Sequence, residues 1–210
     1  MSDFLAGGFR MSENAKKRAE TKKRLKDALM ALYAQYDFQS ITVTMVCREA
    51  GLHRSTFYLY YNSIDEVLRE IEHEILEEIQ NFADKINLFD TRDSSLSTSE
   101  IFAKNEPYMV DYYKWQYSIR EYLNPLLGSY GDPYFIQRYE QIVYDNTLPT
   151  LDFLGYKYVD NDYAVRFLTG GVIKTNQEWL LNGDISAEKL VRIQRSMLVE
   201  NPLLKGEIEL

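Results

Sequence analysis

Cysteine is nearly absent from this sequence of 210 residues, in which Cys47 stands alone. A single cysteine excludes a disulfide within the chain and fits a reducing compartment. Proline and glycine are also sparse, with five and ten residues, so few positions interrupt regular structure. No apolar run approaches the roughly 18 residues that span a bilayer, and the N-terminus lacks the apolar region of a signal peptide. We therefore expect a soluble, cytoplasmic, mainly helical protein that has no membrane partner.

The sequence also has few of the patterns that enzymes use. It contains no phosphate-binding glycine loop, no nucleophile elbow and no paired cysteine and histidine. Glu70 and His73 have the Glu-x-x-His spacing of di-iron bundles, but such a site needs that motif twice. The only other histidine is His53. We therefore expect no catalytic residue, no metal and no cofactor.

The charge is unevenly distributed along the chain. The net charge is −8, yet residues 1–62 hold 10 Lys and Arg against 6 Asp and Glu, whereas residues 63–210 hold 14 against 26. A basic N-terminal part on an acidic body directs polyanions such as DNA toward one end of the protein. Many of the cations fall near the start of a predicted helix, where they oppose the helix dipole. We therefore expect Lys22 and Lys23 to face phosphates.

Two short helices joined by a tight turn are predicted at 41–61. Thr42 is a good N-cap, and Gly51 can take the positive φ that ends the first helix. A second helix follows from Arg54, which fits the helix-turn-helix plan in which that helix enters the DNA major groove. Around it, apolar spacing and capping residues predict further helices, listed here by their bounds: 15–36, 64–86, a short helix from 97 to Pro107, 109–127, 133–153, 162–181 and 187–198.

The predicted architecture is all-α, with three helices in a DNA-binding head and about six in a larger body. We expect residues 1–14 to be a disordered extension, residues 15–62 to form the helix-turn-helix domain, and residues 63–210 to form a helical body for effector binding and dimerisation. Met11 is a second possible start of the chain.

The turn and second helix resemble the DNA-binding domain of the TetR family of bacterial transcriptional regulators. The resemblance rests on Ala50-Gly51-Leu52, on Thr56-Phe57-Tyr58 and on the aromatic pair Tyr60-Tyr61. It implies a TetR-like regulator, in the first place a repressor, that binds DNA. One departure is Ile64, which stands where many members have a lysine that touches a phosphate. The body more loosely resembles a subgroup that includes activators of dihydroxyacetone-utilisation operons, through Tyr122-Leu123-Asn124, Gly131-Asp132, Gly170-Gly171, Trp179-Leu180 and Ser186.

Candidate DNA contacts follow from the residues and from this resemblance. Arg54 can bond a guanine edge or a phosphate, and Tyr58 can meet a thymine methyl or a phosphate. His53 is expected to cap the second helix or to touch the backbone, and Tyr60 either contacts phosphate or packs. The complete predicted set is Lys22, Lys23, Thr42, Thr44, His53, Arg54, Ser55, Thr56, Tyr58 and Tyr60.

The body suggests two further sites. Two glycines within a predicted helix indicate close helix approach, inside the body or across a twofold dimer that would match a palindromic operator. The predicted dimer residues are Phe167, Gly170, Gly171, Ile173, Trp179, Leu190, Ile193 and Met197. Tyrosines crowd residues 108–144, and they either fill a helical core or line a pocket for a small-molecule effector. The predicted pocket residues are His73, Tyr112, Trp115 and Tyr139.

Two functions remain open from the sequence. The first is a homodimeric, sequence-specific regulator whose DNA affinity is modulated by an effector. The alternative, which the absence of a lysine at Ile64 favours, is a co-regulator that works through a protein partner and has weak or no DNA binding of its own.

Overall fold

The structure is a computed structural model that describes residues 12–86, 97–128, 131–153 and 161–199. Within these ranges the regular structure is entirely helical, with nine α-helices, one 3₁₀ turn and no strand. The all-α prediction is confirmed. The chain divides into two compact units after Ile71. The predicted extension at 1–14 lies mostly outside the described residues, and the predicted domain bounds stay predictions.

The first unit contains three helices and the start of a fourth. Their bounds are α1 Glu13–Tyr33, α2 Val43–Ala50, α3 Arg54–Phe57 and α4 Ile64–Lys85, with the 3₁₀ turn at Phe38–Ser40. The α1 helix begins two residues earlier than predicted, because the side chain of Ser12 accepts a hydrogen bond from the Ala15 N–H at 3.3 Å and caps it. The core of this unit includes Leu25, Leu29, Phe57 and Tyr61, none more than 1% exposed.

The second unit contains the remainder of α4 and five further helices. They are α5 Thr98–Ser118, α6 Arg120–Leu127, α7 Pro133–Phe153, α8 Asn161–Asn182 and α9 Ala187–Val199. Capping explains several of these bounds. Ser97 and Glu100 form a reciprocal capping box at the start of α5, and the Ser186 hydroxyl accepts from the Lys189 N–H at the start of α9. No helix in the described part of the chain is long and apolar enough to cross a membrane.

The prediction that Pro107 interrupts a helix was wrong. The α5 helix runs through Pro107, and the break falls at Ile119, whose φ of −111° and ψ of 18° leave the helical region. Pro107 is exposed, while Phe102 before it and Tyr113 after it are buried. A proline within a helix costs roughly 3 kcal/mol, and burial of a large side chain contributes about 1.5–3 kcal/mol. Packing on both sides of Pro107 therefore outweighs the lost hydrogen bond.

The turn between α8 and α9 is held by the side chains around it. Gly183 has a φ of +60°, and its N–H donates to the Trp179 carbonyl at 2.8 Å. The Trp179 indole N–H donates to the Ile185 carbonyl at 2.8 Å, and its ring packs on Tyr117 with centroids 5.2 Å apart. A Cβ at position 183 would lie 2.5 Å from the Tyr117 hydroxyl. Glycine is therefore required here by both its backbone conformation and its surroundings.

Candidate nucleic-acid interface

The turn between α2 and α3 has the geometry that the sequence predicts. The Thr42 side chain accepts from the Met45 N–H at 3.3 Å and caps α2. Gly51 ends α2 with a φ of +63° and a ψ of 40°. The next residue, Leu52, donates its N–H to the Cys47 carbonyl at 2.9 Å, which completes a Schellman-type C-cap. These bonds fix the angle at which α3 leaves α2.

Arg24 ties α1 to this turn, and sequence reasoning did not identify this contact. Its Nη2 donates to the Ala50 carbonyl at 2.5 Å and to the Gly51 carbonyl at 3.3 Å. These carbonyls are at the C-terminal end of α2, where helices leave acceptors unpaired and favour positive charge. Arg24 is therefore a structural cation, although it belongs to the basic run of α1.

The α3 helix and the turn after it expose one face and bury the other. Phe57 and Tyr61 are buried at 0% and 1% exposure, four residues apart on one row. The opposite face exposes four side chains, listed here: Arg54, Ser55, Tyr58 and Leu59. Arg54 donates through Nη2 to the Tyr58 hydroxyl at 3.4 Å. A donor-rich, exposed face on the second helix of this motif is the surface that enters a major groove.

The remaining predicted contacts around the turn differ in how far they project. Thr44 and His53 are exposed, whereas Thr56 and Tyr60 are partly buried. His53 occupies the N-cap position of α3, but its side chain makes no capping hydrogen bond, so the capping role expected of it was wrong. Tyr60 has Arg18 at 6.0 Å from its ring centroid. The assignment of these residues to DNA stays a prediction.

The two predicted phosphate lysines of α1 are held differently. The Lys22 ammonium donates to both carboxylate oxygens of Glu70, at 2.8 and 3.0 Å, and lies 4.9 Å from the Tyr61 ring centroid. Lys26, which is buried, approaches the same carboxylate at 2.8 Å. Lys23 projects further, with 73% of its side chain exposed, and pairs with Asp27 at 2.6 Å. Lys23 is therefore the freer of the two predicted lysines to meet a phosphate.

Burial and charge shift the ionisation of two groups in this unit. Burial on its own raises the pKa of Glu70, but the hydrogen bonds from Lys22 and Lys26 outweigh it and hold that pKa below its ordinary value. Burial raises the pKa of the Cys47 thiol, and the Arg54 charge offsets part of that rise. Cys47 is only 3% exposed and is a core side chain of α2.

The predicted effector residues occupy two places in the second unit. His73 is exposed and lines an open groove of about 400 Å³ between α4 and α7, together with Leu76, Arg138 and Gln141. Tyr112 and Tyr139 instead lie in the interior, where the Gln116 amide N–H₂ donates to their hydroxyls at 2.8 and 3.1 Å. Trp115 packs on Phe82 and Tyr112, with centroids 5.3 and 6.1 Å apart. His73 and the three aromatic residues thus belong to different surroundings.

The predicted dimer residues also divide into two groups. Phe167 and Met197 are 80% and 60% exposed, and a Cβ at Gly170 or Gly171 would meet nothing within 4 Å. The two glycines are therefore not places of close helix approach inside the protomer. Ile193 is partly buried, and the other three, Ile173, Trp179 and Leu190, are buried in the protomer at 6% exposure or less.

A cluster that could hold a metal is not found among the described residues, in the sense of three or more histidine, cysteine or acidic groups. Glu70, which the sequence paired with His73 at di-iron spacing, is instead bonded to Lys22 and Lys26.

The three-helix unit and the exposed face of its second helix define a helix-turn-helix DNA-binding regulator. Residues 25–71 match the family described as bacterial regulatory proteins, tetR family. A TetR transcriptional regulator from Streptococcus agalactiae 2603V is 25% identical, with a TM-score of 0.56, and the match covers 88% of this chain and 96% of that chain. These findings confirm the resemblance to the TetR family, whose members and solved structures are transcriptional regulators rather than enzymes.

Two more distant structures show the same fold. The fatty acid degradation regulator FadR from Bacillus halodurans is 19% identical with a TM-score of 0.54, covering 89% of this chain and 95% of that chain. The regulator PfmR from Thermus thermophilus is 14% identical with a TM-score of 0.57, covering 89% and 100%. The dihydroxyacetone kinase operon activator DhaS also matches, at 16% identity and a TM-score of 0.46 over 90% of this chain and 96% of that chain, which is too low to assign the subgroup. No curated protein matches the sequence.

Proposed function

We propose that this protein is a homodimeric, cytoplasmic repressor that binds a palindromic operator and responds to a small molecule. The observation that carries the DNA-binding part is the exposed face of α3, where Arg54 and Tyr58 project opposite the buried Phe57 and Tyr61. An arginine on such a face can bond the O6 and N7 acceptors of one guanine, which gives sequence preference as well as affinity. The basic charge of residues 1–62 adds attraction to phosphates on any sequence.

The dimer is supported by the exposed apolar groups of the last two helices. Phe167, Gly170 and Gly171 follow one another at three- and four-residue steps and therefore share a face of α8, and this face is exposed. Tyr163, one turn earlier, is 75% exposed. Large exposed apolar side chains beside glycines suit a closely packed helix from a second copy. A twofold pair would present two copies of α3 to a palindromic site.

The effector is proposed to bind the second unit, and the structure offers two places. The groove beside His73 has room for a small molecule and polar groups from α4 and α7. The interior around Tyr112, Gln116 and Tyr139 offers hydroxyl and amide groups among aromatic rings. Thermal-shift screening of metabolites on His73→Ala and Tyr139→Phe proteins separates the two, because only one variant loses the stabilisation by a true ligand.

A second candidate function is a co-regulator that acts through a protein partner. Ile64, partly buried at the start of α4, replaces a possible phosphate-binding lysine, and Lys22 is already bonded to Glu70. Both reduce the cationic groups available to DNA. The two functions differ in what the purified protein does alone.

The deciding experiment is selection of bound duplexes from a random DNA pool by the purified protein, followed by binding titrations at several salt concentrations. Enrichment of a palindrome, with an affinity that falls as salt rises, supports the repressor. A pool that stays random, together with weak binding that is independent of sequence, supports the co-regulator.

A further inference from the structure

Leu59 is a large apolar side chain that the first unit leaves in solvent. It follows α3 directly, its N–H donates to the Thr56 carbonyl at 3.2 Å, and its side chain is 75% exposed. Residues four apart on a helical turn share a row, so Leu59 continues the row of Ser55 as Tyr58 continues that of Arg54. Leu59 therefore lies on the same exposed face as the proposed DNA contacts.

The chemistry of a leucine restricts what it can meet on DNA. It has no donor for a phosphate oxygen or for the acceptors of a purine edge, so burial against such groups would remove their hydration without replacing it. The one apolar group at the edges of the bases in the major groove is the C5 methyl of thymine. The neighbouring Ser55 is short enough to let the backbone of this face come close to the bases.

We propose that Leu59 contacts the C5 methyl of a thymine in each operator half-site and thereby selects a T·A pair at that position. The inference rests on the proposed DNA-binding function, and it adds the base and the atom that one residue recognises. Arg54 and Leu59 then divide the work on this face, with hydrogen bonds to one base pair and apolar contact to another.

The test replaces single thymines of the selected operator by deoxyuridine, in both half-sites at once, which removes only the methyl group. Binding is measured by fluorescence anisotropy at fixed salt for the wild-type protein and for Leu59→Ala and Leu59→Met. At one position we expect uracil to weaken wild-type binding about fourfold for each methyl removed, from the transfer energy of one such group. Leu59→Met should keep most of this sensitivity because it retains an apolar side chain, and Leu59→Ala should lose it.

The outcomes separate this inference from the function beneath it. A wild-type protein that selects no sequence overturns the proposed function and the contact together. A protein that selects an operator but tolerates uracil at every position overturns only the contact. Equal sensitivity of wild-type and Leu59→Ala proteins also overturns it, because the methyl group then belongs to another residue such as Tyr58. The exposed position makes Leu59→Ala a variant that should fold, and its melting temperature verifies this.

Discussion

The Arg54 guanidinium and the Tyr58 hydroxyl lie 3.4 Å apart on the exposed side of α3, one helical turn from each other. The bond limits the conformations of the arginine before any DNA arrives, which lowers the entropy lost when it bonds a base. Both residues project away from Phe57 and Tyr61, the buried pair of the same segment. The recognition face is thus arranged by the fold of the first unit itself.

Arg54→Ala should weaken binding to the selected operator by about 1–3 kcal/mol and relax the preference at one base pair. The physical reason is the loss of two hydrogen bonds to a base edge in each half-site. Repeating the selection with the variant measures the preference, and anisotropy measures the affinity. Arg192→Ala is the matched control, because Arg192 is an exposed arginine of α9 in the second unit. Equal effects of the two variants would mean that only net charge matters.

Lys23→Ala should lower affinity for all sequences and reduce the slope of log K against log salt by about one for each lysine lost. Lys189→Ala, an exposed lysine of α9, serves as the control. Lys22→Ala should change the slope less than Lys23→Ala, because Glu70 already neutralises Lys22. A larger slope change for Lys22 than for Lys23 would show that DNA displaces Glu70 from this pair.

Glu70 should make the stability of the first unit depend on acid pH. Because its pKa in the folded protein lies below the ordinary value of 4.5, the ionised carboxylate stabilises the fold above that value. This contribution is lost as the pH falls through the lowered pKa. Urea unfolding across the acid range measures it. Glu70→Gln should cost about 1–2 kcal/mol at neutral pH, since it weakens the bonds to Lys22 and Lys26.

The control for this pH dependence is Glu49→Gln, a change at an exposed residue of α2. It should leave both the stability and its acid dependence close to those of the wild-type protein. An unchanged acid profile in Glu70→Gln would show that other carboxylates determine it.

Gly183→Ala should destabilise the second unit by roughly 1–2 kcal/mol from its backbone alone, because a φ of +60° is unfavourable for a residue with a Cβ. The contact with Tyr117 adds to this. In a Tyr117→Phe background the same change should cost less, since the hydroxyl nearest the new Cβ is gone. Thermal unfolding of the four proteins forms a double-mutant cycle. Strict additivity would show that the Tyr117 hydroxyl moves aside without cost.

Gly170→Leu distinguishes the protomer from the proposed dimer. Within the protomer a Cβ at this position meets nothing within 4 Å, and leucine favours a helix more than glycine does by roughly 1 kcal/mol. We therefore expect helical content to be retained while the dimer dissociates more readily. Circular dichroism and sedimentation velocity measure the two effects. A dimer of unchanged strength would place the interface on another face of the second unit.

The helical architecture and most helix ends could be predicted because their causes are local. Thr42, Gly51 and Ser97 act within four residues of the backbone groups that they bond or terminate, so their effects are visible in the sequence. The break at Ile119 was missed because no glycine or proline marks it, whereas Pro107 marked a break that packing overrides.

The electrostatics of the site was less predictable because it depends on distant residues. Glu70, which neutralises Lys22, lies 48 residues away in the chain, and no local pattern connects them. Arg24 bonds a carbonyl 26 residues away. The sequence therefore located the basic helix but did not separate structural cations from those free to meet DNA. Leu59 was missed although its position four residues after Ser55 was visible.

The burial of Cys47 has a practical consequence. The chain has one thiol, it is packed in α2 at 3% exposure, and its raised pKa keeps it protonated and slow to react. Alkylating reagents can modify it only when this part of the protein opens. The rate of modification, followed by mass spectrometry, therefore reports the opening of the recognition unit without an added label. Protection of this thiol by a duplex would measure how much nucleic acid tightens the unit that grips it.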